Sequence, residues 1–127
     1  MTTGTALDAV GRDILRKLFG EPGKDPSRPS PPATQLAPEF FDLVRRFCYG
    51  MFWSRSGLAL RDRSLITVAM LAAAGDQDQL ASHLRGALNV GATRNELIEV
   101  LMHVGLYAGI PASVSALTTA ARVLDPP

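Results

Sequence analysis

The 127-residue chain contains one cysteine, Cys48, two lysines and no long uninterrupted apolar run. A single cysteine excludes an internal disulfide, a CxxC redox pair and a thiolate metal site within the chain. No segment approaches the roughly 18 apolar residues of a membrane-spanning helix. The first residues also lack the apolar region of a signal peptide. We therefore expect a cytoplasmic protein that does not contact a membrane.

An excess of either charge is also missing, because 13 basic residues face 12 acidic ones. No basic run is interleaved with aromatic residues, so we expect no nucleic-acid partner. Eleven of the basic residues are arginine, which favours a carboxylate ligand or interfacial ion pairs, although a GC-rich genome produces the same bias. The hydrophobic share of 46% is high enough for a globular domain that hides some apolar surface in an oligomer.

Proline and glycine divide the chain into three parts. Residues 1–20 contain an N-terminal helix, with apolar residues at helical spacing from Ala6 to Phe19 and Gly20 after it. Residues 21–35 contain five prolines and are predicted to form a tether without regular structure. Residues 36–127 carry the remaining helical patterns and form the main domain.

Five further helices are predicted in that domain, over residues 38–53, 61–75, 76–91, 93–109 and 111–124. Asp76 with Gln79, and Thr93 with Glu96, have the spacing of a helix N-cap and its partner. No alternation typical of a strand persists anywhere. The sequence therefore predicts an all-α fold of six helices.

The helix over 93–109 is apolar nearly all round, which places it at the centre of the monomer or, as we favour in so small a chain, between subunits. One polar line interrupts it, through Glu96, Glu99, His103 and Tyr107. Glu99 lies one helical turn before His103 and is able to hold its imidazole as a general acid. The alternative is an ordinary solvated or interfacial face.

His83 shares the apolar stripe of its helix with Leu80 and Ala87. It is either a structural histidine bonded to a neighbour or a group that faces a cavity. Arg85 points about 200° around the helix from it. Arg55, in a predicted break between helices, is the arginine best placed to hold an anion. With only two histidines and no other ligand cluster, a metal site is not favoured.

Four segments together resemble the carboxymuconolactone decarboxylase family: "WSRSGL", "RDRSL", "HLRGALNVGAT" and "YAGIPA". The resemblance implies an orthogonal all-α bundle shared with alkyl hydroperoxide reductase D proteins, assembled as a homotrimer or homohexamer. It also implies a cofactor-free enzyme that removes CO₂ from a carboxylated lactone. His83 matches the motif histidine and would be the acid/base. Trp53 and Arg55 match the segment that would wall the pocket and hold the carboxylate, and Arg85 lies in the histidine motif.

The chain also departs from both branches of that superfamily. Asp76 and Gln79 stand where the redox branch has its two cysteines, and Ser64 stands where it has a glutamate, so thiol peroxidase chemistry is not expected. Tyr49 replaces a tryptophan and His103 a glutamine of typical decarboxylases. Tyr49 and Tyr107 are therefore candidate substrate contacts. A tailoring enzyme of aromatic or polyketide metabolism, or a ligand-binding oligomer without catalysis, are the alternative functions.

Overall fold

The computed structural model describes residues 4–29 and 31–127, and within these ranges the chain is all-helical, without a β-strand. The all-α class is therefore confirmed, but the predicted number of six helices is wrong, because residues 31–53 form two short α-helices and a π-helical segment where one helix was predicted. The described residues form seven α-helices and one π-helical segment: α1 (Gly4–Phe19), α2 (Pro31–Leu36), α3 (Pro38–Leu43), the π-helical segment (Val44–Trp53), α4 (Leu60–Ala74), α5 (Gln77–Asn89), α6 (Arg94–Ala108) and α7 (Ile110–Leu124).

Local capping sets the boundaries in the second half of the chain, as the sequence predicts. Gly75 ends α4 with a φ of 79°, a left-handed conformation that favours glycine. The Asp76 carboxylate then accepts a hydrogen bond from the Gln79 amide at 3.1 Å and begins α5. At the start of α6, Thr93 and Glu96 exchange both bonds of a capping box.

Two predictions about residues 21–53 need correction. The tether is not wholly irregular, because α2 begins at Pro31 inside it. Pro31 and Pro32 occupy the first turn, where an α-helix needs no amide donor, so they do not disrupt it. The helix predicted over 38–53 is α-helical only to Leu43 and continues as a π-helix. Apolar residues as dense as these fit either winding, so their spacing does not distinguish the two.

Helices α4 to α7 surround the larger apolar core, which we call the aliphatic cluster. Its buried members are Val68, Ala72, Leu80, Leu84, Ala87, Ala92, Leu97, Leu101, Val104, Ala116 and Ala120. All are aliphatic and eight are completely buried. Because interior packing of this kind supplies most of a small domain's stability, this four-helix bundle is the main stabilising core, and the rest of the chain packs against it.

Helix α1 packs against the π-helical segment and α5 and forms a second core, the N-terminal cluster. Its buried members are Ile14, Leu18, Phe19 and Tyr49, with Cys48 and Trp53 among the residues packed on them. Two glycines permit the close crossing. A Cβ on Gly50 would lie 2.5 Å from the Leu7 carbonyl oxygen, and one on Gly11 would meet the Arg45 carbonyl. Any larger residue there would push α1 away.

Helix α6 is not enclosed by this chain. Leu97, Leu101 and Val104 are buried, whereas Met102 and Leu106 are exposed. The first alternative, a helix central in the monomer, is therefore only half correct. Among the described residues, no helix has the length and apolar character needed to cross a membrane.

Candidate functional site

His83 lies on α5 between the two clusters and is only 6% exposed. The imidazole stacks on Trp53, with ring centroids 6.1 Å apart, and meets the Phe19 ring edge-on at 5.2 Å. Within the described ranges, Nδ1 is buried without a hydrogen-bond partner. One interpretation of His83 was a structural histidine bonded to a neighbour. Among the described residues, Nδ1 makes no such bond.

The surroundings keep His83 neutral at physiological pH. Burial is the main cause and the positive charge of Arg28 adds to it, and together they lower the pKa of His83 to about 4 from its ordinary 6.5. The carboxylate of Asp25 acts in the opposite direction. A neutral imidazole has one nitrogen that can take up a proton and one N–H that donates a hydrogen bond, so His83 can act as a base and, once protonated, as an acid.

The π-helical segment supplies the aromatic wall beside this imidazole. Tyr49 and Trp53 stack at 5.7 Å, and Tyr49 also meets Phe19 edge-on at 6.3 Å. Burial raises the pKa of the Tyr49 hydroxyl, and the nearby Arg28 guanidinium opposes the shift. Burial likewise raises the pKa of the Cys48 thiol, partly offset by the Trp53 side chain. Cys48 is thus a half-buried packing residue with no activated thiolate.

A short connecting segment, residues 20–29, holds two charged residues against this wall that sequence reasoning missed. Asp25 is buried and accepts hydrogen bonds from Ser82 Oγ at 3.1 Å, Arg85 Nη1 at 3.0 Å and the Ser27 amide at 2.8 Å. Arg28 lies 4.0 Å above the centre of the Phe19 ring. In the sequence, Asp25 and Arg28 are marked only by the prolines on either side of them. No local pattern predicts which part of the fold a proline-rich segment contacts.

A cavity of about 340 Å³ opens between α1, the connecting segment and α3 with its π-helical continuation. Its walls combine apolar and aromatic side chains with four arginines: Leu15, Phe19, Val44 and Tyr49, and Arg12, Arg16, Arg28 and Arg45. His83 does not line this cavity, and that its imidazole faces a cavity stays a prediction. Phe19 contacts both the imidazole and the cavity. The side chain therefore stands between them.

A second cavity of about 330 Å³ lies on the other side of the connecting segment, along α5. Lys24, Asp25 and Arg85 line it together with Asn89. Arg85 is engaged there with Asp25 and with the Ser27 hydroxyl, at 2.7 Å. The structure therefore uses Arg85 to hold the connecting segment, which is a different contact from the substrate contact predicted for it.

Sequence-predicted candidates on α6 are not brought to His83 in this chain. Glu99, His103 and Tyr107 are all exposed, Tyr107 to 86%. The His103 and Tyr107 rings contact each other at 5.4 Å, while no hydrogen bond joins Glu99 to His103 among the described residues. Arg55 is exposed in the loop after the π-helical segment, where its carbonyl accepts a bond from Arg63.

Of the predicted site residues, the fold therefore brings together His83, Trp53 and Tyr49. Ser64, which stands in place of the redox branch's glutamate, is completely buried, and its hydroxyl has no partner among the residues described. In the same ranges no group of three or more potential metal ligands occurs.

Comparison with known proteins gives a consistent picture. The model of the carboxymuconolactone decarboxylase family matches residues 38–122. The 4-carboxymuconolactone decarboxylase of Acinetobacter baylyi is 39% identical over 113 residues, which are 89% of this chain and 83% of that protein. The nitrosuccinic acid decarboxylase of Metarhizium robertsii is 28% identical over 130 residues, covering 93% of this chain and 89% of that protein. Phe19, Asp25 and Arg28 precede the residues matched by the family model.

Proposed function

Since the chain belongs to the carboxymuconolactone decarboxylase family, we propose that it is a cofactor-independent decarboxylase of a carboxylated lactone or a related small organic acid. His83 is the proposed acid/base. The observation that carries this role is the buried, neutral imidazole with an unpartnered Nδ1, next to a cavity lined by arginines. Buried polar groups without partners are rare in proteins and concentrate where a ligand completes them.

The proposed reaction needs no group beyond the chain and the substrate. The bond between the carboxylate carbon and its neighbour breaks, CO₂ leaves, and the electron pair moves into the conjugated carbonyl of the lactone. The protonated form of His83 then delivers a proton to the resulting carbanion carbon and becomes neutral, and the imidazole takes up a new proton from solvent. A dry aromatic surround supports this step, because charge that develops next to Trp53 and Tyr49 is poorly screened by water.

Access is part of the proposal. Phe19 is 8% exposed and lies between the cavity and the imidazole, so a substrate reaches Nδ1 only after this side chain turns aside. Phe19 belongs to the end of α1, directly before the connecting segment. Movement of that segment would carry the ring with it, which is a gating motion of the kind common in enzymes that exclude water.

We also propose that the protein is a homo-oligomer, a trimer or hexamer, through the exposed apolar surface of α6 and α7. Met102, Leu106, Ile110 and Val114 are between 46% and 70% exposed. Such a surface is unusually apolar for a protein of this size to leave in water. Glu99, His103 and Tyr107 lie on the exposed part of α6 and would then reach a site only beside a second copy of the chain.

The two histidines provide the test. We expect CO₂ release from 4-carboxymuconolactone in buffer without metal, flavin or thiol, and a fall in kcat of about 100-fold or more in His83→Gln. The matched control, His103→Gln, makes the same exchange on the exposed face of α6. Unchanged turnover in His83→Gln would remove the acid/base role. A loss in His103→Gln, with assembly intact, would show that α6 contributes to the site between subunits.

A further inference from the structure

Three of the four arginines that line the larger cavity are already paired with carboxylates. Arg12 contacts Asp8 at 3.3 Å and Arg16 contacts Glu21 at 3.2 Å. Arg45 binds Asp8 at 2.7 Å, and its other arm binds Asp42 at 2.8 Å. These pairs leave little positive charge for a ligand, because each guanidinium is neutralised from within the protein.

Arg28 is different. No carboxylate of the described residues lies within ion-pair distance of it, and its guanidinium rests on the Phe19 ring instead. A guanidinium that lies over an aromatic face still has N–H groups directed away from the ring. One of them interacts with the Tyr49 hydroxyl, and the others can bind an anion with two parallel hydrogen bonds. Of the arginines in the described ranges that line this cavity, Arg28 is therefore the one whose charge a ligand could neutralise.

We propose that Arg28 anchors a carboxylate of the ligand in this cavity, with the rest of the ligand lying on the apolar wall formed by Leu15, Val44 and Tyr49. The ligand class is a small ring-bearing organic acid. A volume of about 340 Å³ accommodates a molecule of that size and not a polymer. The assignment deepens the proposed function, on which it rests for the identity of the acid, and it replaces Arg55 as carboxylate anchor by a residue of the connecting segment.

Binding at Arg28 is coupled to His83 through charge. The positive charge of Arg28 helps to lower the pKa of His83, while Asp25 opposes it; the aromatic neighbours Phe19 and Trp53 carry no charge. A carboxylate that pairs with Arg28 cancels part of its effect and raises the pKa of His83 toward the ordinary value. The bound acid would thereby increase the protonated fraction of the group that must deliver the proton.

Calorimetric binding of two probes tests the anchor directly. The probes are a saturated five-membered lactone that carries one carboxylate, which has no conjugated electron sink, and its methyl ester. We expect the acid to bind at least about 10-fold more weakly to Arg28→Gln than to the unmodified protein, the ordinary loss for a charge-assisted bond. The ester, which lacks the charge, should bind both proteins equally. The affinity of Arg28→Lys for the acid should be intermediate, since lysine keeps the positive charge but lacks the two parallel N–H donors of a guanidinium.

Arg16→Gln is the matched control, because Arg16 lines the same cavity and carries the same charge but is already paired with Glu21. We expect it to change the affinity for the acid by less than about 3-fold. Equal losses in Arg16→Gln and Arg28→Gln would overturn the assignment, since they would reflect only the net charge of the cavity. Retained affinity in a folded Arg28→Gln, shown by unchanged circular dichroism, would overturn it as well.

An NMR titration of the His83 ring separates this inference from the proposed function. The pKa of His83 should rise when the acid binds to the unmodified protein, and should not respond to the acid in Arg28→Gln. A protein that shows this response but releases no CO₂ from any acid would keep the anchor and lose the decarboxylase. An active protein in which the acid leaves the pKa of His83 unmoved would keep the decarboxylase and lose the coupling.

Discussion

The two apolar clusters of the molecule differ in chemistry and in what surrounds them. The aliphatic cluster is made by four sequential helices, α4 to α7, and contains only aliphatic side chains. The N-terminal cluster joins elements far apart in the chain and is rich in aromatic rings. It borders a cavity, a buried carboxylate, a guanidinium without a carboxylate partner among the described residues, and a neutral histidine. The larger apolar core and the proposed site thus lie in different parts of the protein, with α5 contributing to both.

The separation has a physical reason. Aliphatic side chains pack to high density and leave no polar atom to satisfy, so a core built from them is stable but chemically inert. Aromatic rings contribute area as well, but they also stack against charged and titratable groups. A site at the boundary between the two clusters is therefore bounded on one side by α5, which packs in the aliphatic cluster, and on the other by the aromatic residues of the N-terminal cluster.

The largest expected effect is truncation in the aliphatic cluster. Leu101→Ala removes a completely buried side chain and should lower the free energy of unfolding by about 3 kcal/mol. Chemical denaturation followed by circular dichroism measures it. Met102→Ala, at the next position but 46% exposed, is the control and should cost well under half as much. Equal losses would mean that an assembly, not the monomer core, dominates the stability.

Acidification should act on the boundary through His83. The pKa of His83 is lowered to about 4 in the folded protein, against 6.5 in the unfolded chain. Its contribution to the free energy of unfolding is therefore present in full above pH 6.5 and is lost as the pH falls from 6.5 to 4. The loss amounts to about 3 kcal/mol near pH 4. Denaturation curves across pH 4 to 7 measure it, with His83→Gln expected to show a shallower slope. A slope that His83→Gln leaves unaltered, but His103→Gln reduces, would contradict the assignment.

Helix α1 crosses the π-helical segment closely at Gly11. Gly11→Ala places a Cβ against the Arg45 carbonyl and should cost about 2 kcal/mol, because helix backbones cannot yield as a flexible side chain does. Trp53, the chain's one tryptophan, reports on the N-terminal cluster by fluorescence. Gly57→Ala, with no atom near its added Cβ, should leave both stability and emission unchanged. An unaltered Gly11→Ala would show that the close crossing is not required.

The smallest expected effect is local. Asp25→Asn keeps the shape but removes the charge that holds the connecting segment to Ser82 and Arg85, and should weaken that contact by about 1 kcal/mol. Hydrogen exchange at the Ser27 amide, bonded to Asp25, should become about 5-fold faster with little change in global stability. Asp76→Asn is the control, since asparagine caps a helix as well as aspartate does. Similar exchange rates in both variants would show that the hydrogen bonds to Asp25 do not specifically hold the connecting segment in place.

The helices of the second half were predictable because their signals are local. A left-handed glycine at position 75, a cap at Asp76 and a capping box at Thr93 act within one or two turns, so they can be identified without knowing the fold. The family was recognisable for a similar reason, since its motifs lie in the same contiguous stretch. His83 and Trp53 could be identified as partners only through that resemblance.

Spacing gave no information on the π-helical winding or on the place of Arg28. Ten densely apolar residues suit more than one helical period, and the crossing at Gly11 and Gly50 depends on two segments almost forty residues apart. Likewise, the polar line through Glu99 and His103 has good helical spacing, but its exposure depends on which side of α6 the other helices cover.

The order of residues alone was enough to specify an all-helical chain, its main helix boundaries and its family, because short-range hydrogen bonding and side-chain periodicity are encoded over a few positions. Tertiary packing alone decided that Phe19 separates His83 from the cavity and that Asp25 and Arg28 are brought to it. Contacts of that kind depend on how segments far apart in the sequence pack together and pair their charges, and no local pattern in a proline-rich segment predicts its position in the fold.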